Sequence, residues 1–220
     1  MADIAGWLEK TLGYRPVDLS LFERALTHSS RGDVHYERLE FLGDRVLGLV
    51  TATWLYELFS DEPEGKLSRR LNALVSGETC AEVARELGVG SYVILGKQAR
   101  DDGAADSDNV LGDVVEALLG ALYLDRGLDA AAEFIRRAWA DRVSTQDQAP
   151  KHPKSGLQEW AAANDKRPPV YQLIGRSGPH HAPLFEVEVE INGVGTARAE
   201  GLSKQEAETA AAKALLEKLS

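Results

Sequence analysis

The sequence predicts an all-α domain over residues 1–143, a linker over 144–151, and a small α+β module of order α-β-β-β-α over 152–220. Three observations predict this. Up to Val143 the apolar residues recur at the three- and four-residue spacing of helices. From Val143 to Pro153 that period is lost in a polar run, Ser-Thr-Gln-Asp-Gln-Ala-Pro-Lys-His-Pro. Beyond it Phe185, Val187, Val189 and Ile191 alternate strictly with acids, the two-residue period of a half-buried strand.

Residues 4–30 read as two short helices, the second carrying Leu19, Phe22, Ala25 and Leu26 behind Pro16 and Asp18. A long helix spans 36–59 and is closed by Ser60-Asp61-Glu62-Pro63. Helical stretches follow at 66–76 and 78–87, the latter ending at Gly88. Lys97–Asp108 is polar, contains Gly103, and reads as a mobile loop. Residues 110–124 form a helix that is apolar in every direction, hence buried, and Leu128–Trp139 a further one. In the second module Ser155–Asn164 is a helix opened by the capping box Ser155-x-x-Gln158. Strands follow at 170–175, 185–191 and 194–200, with Asn192-Gly193 as a hairpin turn. An Ala-rich helix, 203–219, opens with a second box, Ser203-x-x-Glu206.

The chemistry concentrates in acids placed among apolar residues. Glu37, Glu40 and Asp44 lie at i, i+3 and i+7, within an arc of about 60° on a helix. Alone, they also fit a solvated helix face. Asp113 and Glu116, one turn apart, are the only charges in the buried 110–124 stretch, where solvation is a poor explanation. Two acids on each of two helices is how helical bundles build divalent-metal sites. Oxygen-only ligands suit Mg²⁺ first and Mn²⁺ second. Gly43, Gly48, Gly112 and Gly120 would let two such helices approach closely. Glu64 fits an acid at a helix N-terminus.

Bulk composition bounds the rest. The single Cys80 allows no internal disulfide and fits a reducing cytosol. No apolar run reaches membrane-spanning length, and the N-terminus lacks the pattern of a secretory signal, so a cytoplasmic protein without membrane contact is expected. The formal net charge of −10 argues naively against nucleic acid. However, residues 151–220 carry nine basic and nine acidic side chains, and the whole acidic surplus lies before them. Gly90–Lys97 fails the spacing of a phosphate-binding loop, and no G-x-S-x-G is present. A helical di-metal oxidase would call for Glu-x-x-His pairs, which are absent.

Glu37-Arg38-Leu39-Glu40-Phe41-Leu42-Gly43-Asp44 resembles the signature of bacterial ribonuclease III. Ala25-Leu26-Thr27-His28-Ser29, Glu64-Gly65-x-Leu67-Ser68 and Gly112-Asp113-x-x-Glu116-Ala117 resemble its other elements, in order. Lys154-Ser155-x-Leu157-Gln158-Glu159, Gly178-Pro179-x-His181 and Ser203-Lys204 with Ala207 resemble a double-stranded-RNA-binding domain. The resemblance implies an all-α nuclease domain followed by a small α+β RNA-binding domain. It implies a Mg²⁺-dependent endonuclease, with Mn²⁺ as a substitute, cutting both strands of RNA duplexes to 5′-phosphate and 3′-hydroxyl ends. Processing of ribosomal and other structured RNA goes with it.

On that carry-over Glu40, Asp113 and Glu116 hold metal, Asp44 and Glu116 stand at the chemical step, and Glu37 and Glu64 are supporting acids. A homodimer is implied, with Phe41 as its interface aromatic; ordinary core is the other reading of Phe41. Gln158 and Glu159 are expected at one minor groove, His181 at the next, and Ser203 and Lys204 at phosphates across the major groove between them. A relative that only holds duplex RNA is the rival reading; the full set of acids disfavours it. Three departures stand out: Gln205 and Glu206 follow Lys204 where basic residues are common, Ala199 replaces a frequent glycine, and His152 precedes Pro153 where Asp is common. Fewer cations at the groove lead us to expect weaker and more salt-sensitive RNA affinity.

Overall fold

Two long helices cross at the centre of the N-terminal unit: α3 (Glu37–Leu58) and α7 (Asp108–Ala138). The computed structural model describes residues 3–145, 153–178 and 183–219, and the chain divides into two units, 1–150 and 151–220. Around the crossing pair pack α1 (Ile4–Leu12), α2 (Leu19–Ala25), α4 (Glu64–Leu74), α5 (Gly77–Glu86) and α8 (Ala140–Ser144). The buried face of α7 includes Leu111, Val114, Val115, Leu118, Leu119 and Leu122, which matches a helix apolar all round. At Gly127 (φ 82°, ψ −177°) its helical dihedrals break, which separates the two helical stretches expected from sequence.

The break is anchored. The Asp125 carboxylate, 1% exposed, accepts from the Val17 and Asp18 backbone N–H groups (3.1 and 2.8 Å) and from the Tyr14 hydroxyl (3.2 Å). Charge-assisted bonds of this kind outweigh neutral ones and tie the α1–α2 connection to α7. At the other end of α3, Arg70 is 1% exposed, forms a two-pronged pair with Glu62 (2.8 and 2.9 Å) and stacks 3.8 Å over the Phe59 ring. That pair fixes the turn through which α3 passes into α4 and its first residue, Glu64.

Lys97–Asp108, expected as a mobile loop, contains α6 (Lys97–Asp101) and a 3₁₀ turn, Ala104–Asp106. No apolar period marks them, because local bonds hold them: Gln98 Nε2 donates to Asp102, and Arg85 pairs with Asp106 and Asp108.

In the second unit α9 (Pro153–Ala163) precedes an antiparallel sheet in the order β1 (Val170–Ser177), β2 (Leu184–Ile191), β3 (Gly195–Gly201), and α10 (Lys204–Leu219) packs on it. Val187, Val189 and Ile191 face the core with Leu157, Ala161, Ala207, Ala211 and Leu215. The α9 helix begins at Pro153, so Ser155 sits inside its first turn and not at its cap; proline's fixed φ and missing N–H suit that position. The second expected box does form, with a shift: Ser203 Oγ accepts from Glu206 N–H (3.1 Å), while the Glu206 carboxylate accepts from Leu202 N–H (2.8 Å). Among the described residues no helix is long and apolar enough to cross a membrane. The expected linker lies mostly in 146–152, outside the described residues.

The four glycines differ in what they do. A Cβ on Gly43 would lie 1.7 Å from the Glu116 carbonyl oxygen, and one on Gly120 2.2 Å from that of Leu39. One on Gly112 would lie 3.0 Å from the Gly77 carbonyl oxygen, and one on Gly48 would meet nothing within 4 Å. Backbone cannot step aside as a flexible side chain can. Gly43→Ala should therefore lower stability by about 1–3 kcal/mol despite a propensity gain of about 1 kcal/mol. Gly48→Ala should be neutral or raise it by about 0.5–1 kcal/mol. Urea unfolding of both variants checks the contrast, and equal effects would refute it.

Candidate functional site

The Gly43–Gly120 approach brings the acids of α3 against those of α7. Glu40 is held above the usual carboxylate range by burial first, then by the charges of Asp113, Glu37 and Asp44. Asp113 is raised by burial and Glu37, with a Tyr36 hydrogen bond and the charge of His28 opposing. Glu116 is pushed up to about 8 by burial, then by Asp44, Glu40 and Asp113; Arg45 is the cation that opposes them. Five of the acids singled out in the sequence thus share one electrostatic environment.

Their present partners differ. The Tyr36 hydroxyl donates to Asp113 Oδ2 at 3.2 Å, and Tyr36 lies edge-on to His28, 5.7 Å between centroids. Arg45 Nη1 donates to Asp44 Oδ2 at 2.6 Å and its guanidinium stacks 4.2 Å from the Phe41 centroid. The Cys80 thiol lies 3.9 Å from Glu116 Oε1 and is pushed up to about 12, by burial first and by the charges of Glu116 and Asp44. It stays protonated and can donate weakly to Glu116. Tyr36 and Arg45 have no role in the sequence reading, and Cys80 reads from sequence as a small buried hydrophobe with no part in the site. Tyr36 and Arg45 flank the acidic motif directly, but Cys80 is 36 positions from Glu116 and carries no local signal.

Glu64 is the first residue of α4, and its carboxylate accepts from Ser68 Oγ at 2.6 Å. Phe41 is 63% exposed, so it is not core of this chain. With Leu49 and Tyr56, also exposed, it forms an apolar stripe along the outer face of α3.

The donor set fits a hard divalent cation in chemistry and charge: four carboxylates offer oxygen-only ligands, and Glu40 and Glu116 are raised by burial first and then by neighbouring acids whose repulsion a cation would relieve. The fit is not preformed. Among the described residues no three His, Cys, Asp or Glu side chains already stand in a metal-holding group. One oxygen of Asp44 is bonded to Arg45 and one of Asp113 to Tyr36.

On the second unit, Gln158 lines a groove of about 620 Å³ with Lys154, Ser155, Lys204, Gln205 and Glu208, between the first turns of α9 and α10. Glu159 is exposed on α9, and Ser203 caps α10. His181 lies outside the described residues.

The raised Glu116 sets a sign for stability against pH. The folded protein holds a proton that the unfolded chain releases near 4.5, so without metal its contribution costs stability as pH rises from about 4.5 to about 8. Thermal melts in EDTA should show Glu116→Gln more stable than the parent at pH 8 and above. The difference should shrink toward pH 4.5. A pH-independent difference would refute the assignment.

Residues 18–143 match the Ribonuclease-III-like family and residues 153–219 the double-stranded RNA binding motif. Ribonuclease 3 of Zymomonas mobilis is 64% identical, covering 96% of this chain and 86% of that protein. The crystal structure of the nuclease domain of ribonuclease III from Campylobacter jejuni matches with a TM-score of 0.61 at 34% identity, covering 64% of this chain and 97% of that one. A second structure of that domain, described for flexibility in a region involved in dimer formation, gives 0.60 at 34% identity, covering 61% and 95%. An acidic crossing of two helices, an α-β-β-β-α unit later in the chain and these likenesses along nearly the whole chain place the protein in the ribonuclease III family.

Proposed function

We propose that this chain is an endoribonuclease hydrolysing phosphodiester bonds in both strands of double-stranded RNA. Its products carry 5′-phosphate and 3′-hydroxyl ends, Mg²⁺ is its ion, and Mn²⁺ can substitute. The observation that carries this is the carboxylate group at the α3–α7 crossing, where burial and three neighbouring acids push Glu116 up to about 8. A stable fold gains nothing from such repulsion, whereas a cation-binding site requires it. Glu40, Asp113 and Glu116 would hold the ion, with Asp44 joining Glu116 at the chemical step and Glu37 and Glu64 in support. A bound divalent ion would acidify the attacking water, neutralise the phosphate and stabilise the leaving 3′-oxygen.

The chain's own residues do the rest. Glu116 carries a proton near neutral pH in the metal-free state and releases it when a cation replaces the repulsion. Tyr36 and Arg45 orient Asp113 and Asp44 at the crossing through one hydrogen bond each. The second unit would carry the duplex. Gln158 and Glu159 meet one minor groove, His181 the next, and Ser203 with Lys204 at the start of α10 meets phosphate, where free N–H groups and the helix dipole favour anions. Ribosomal and other structured RNAs in the cytoplasm are its expected substrates.

The chain acts as a homodimer in this reading, joined through the exposed Phe41, Leu49 and Tyr56 stripe. Phe41→Glu should halve the mass seen in sedimentation equilibrium; an unchanged mass would remove Phe41 from the interface.

The central test is a gel assay on a long perfect RNA duplex, with Mg²⁺ and with EDTA, beside Glu116→Ala. We expect Mg²⁺-dependent cutting by the parent. The variant should lose about 10³-fold or more, consistent with losing a group that stabilises transition-state charge, and should keep duplex binding. A parent that binds the duplex but leaves it whole in Mg²⁺ and Mn²⁺ would show a binding protein instead.

A further inference from the structure

The groove between α9 and α10 holds a feature that the RNA-binding reading leaves unexplained. Glu208, one turn beyond Lys204 on α10, points one carboxylate oxygen at each of two lysines. Its Oε2 lies 2.5 Å from Lys154 Nζ and its Oε1 3.9 Å from Lys204 Nζ. The carboxylate is largely enclosed, with its side chain 16% exposed, while the lysines are 30% and 61% exposed. Lys154 is further held 4.8 Å from the centroid of the Tyr171 ring.

Glu206, two residues before it, is used in the α10 cap. Among the described residues that line this groove, Glu208 is the one acid, and it faces the two lysines. A carboxylate flanked by two ammonium groups presents the same charge and acceptor pattern as a backbone phosphate.

We propose that Glu208 is an internal phosphate mimic that sets the RNA affinity of this protein by partly neutralising Lys154 and Lys204 before RNA arrives. The proposal rests on the reading of the second unit as a duplex-RNA binder. Each of these lysines then meets a phosphate by exchanging one anion for another, and fewer counterions leave the RNA than its cations would suggest. Binding is weaker, as the sequence led us to expect. Its salt dependence, however, is shallower and not steeper, because salt slope follows the number of phosphates newly neutralised. This is opposite to the greater salt sensitivity expected from the sequence, and a salt titration decides between the two.

The test is duplex binding by the full chain in EDTA, read by fluorescence anisotropy between 50 and 200 mM salt, where ~6–10 phosphate contacts change affinity ~10³–10⁵-fold. Glu208→Gln keeps the shape and removes the charge. It should bind about three- to tenfold more tightly at the low-salt end, with a log–log slope steeper by about one to two. Lys204→Gln should cost the parent under about threefold, and clearly more in the Glu208→Gln background. Unchanged or weaker binding by Glu208→Gln would overturn the proposal, since Glu208 would then be inert or would position the lysines for RNA. The Lys204→Gln result stands even if Glu208→Gln fails to fold: a loss above tenfold in the parent overturns the proposal by itself. A parent that does not bind the duplex at any salt removes the RNA-binding reading and this proposal together. A parent that binds while Glu208→Gln behaves identically removes only the proposal.

Discussion

Everything in the nuclease unit depends on how closely two backbones approach. Gly43 and Gly120 each face a carbonyl oxygen of the opposite helix at a distance that excludes a side chain. That contact fixes the separation and register of α3 and α7. Helix registry then does the positioning: once Gly43 sits on the Glu116 turn, Glu40 and Asp44 come to face Asp113 and Glu116. The carboxylates need no further device to meet. They are one face of a packing contact, and the Asp125 clamp and the buried Arg70–Glu62 pair hold the surrounding helices so that the contact cannot slide.

The arrangement is electrostatically unfavourable by itself, and the molecule tempers that cost with weak, local contacts. One tyrosine hydroxyl, one guanidinium and one thiol each touch a different acid. None is a buried ion pair of the strength seen at Arg70, where two parallel bonds and an aromatic face lock the group. The contrast separates two uses of charge in one fold. The Arg70 pair is closed and structural, whereas the acids at the crossing are left under-neutralised.

Much of this was legible in the sequence because charge inside an apolar helix is a loud signal. Asp113 and Glu116 stand out in 110–124 whatever the fold, and the i, i+3, i+7 spacing of Glu37, Glu40 and Asp44 places them on one face. What stayed hidden depends on which faces meet. Gly48 looks as good a close-approach residue as Gly43, yet it points to open space. Cys80 reads as a small core residue, which it is, but only the crossing sets it beside Glu116. Pro153 and Ser155 are rival start signals for α9, and local sequence does not rank them. The short helix at 97–101 has no apolar period to reveal it. Phe41 reads equally as core and as subunit interface, because periodicity records a face without recording what covers it.

The position of Cys80 also bears on redox chemistry. A cysteine within reach of a reaction centre is ordinarily a liability, because its thiolate meets oxidants and alkylating agents. Here the residue is fully enclosed, and that burial first, with the charges of Glu116 and Asp44 second, keeps the thiol protonated well above physiological pH. Enclosure by the packed core therefore passivates the sulfur nearest the acids, and it does so whether or not a cation has neutralised them.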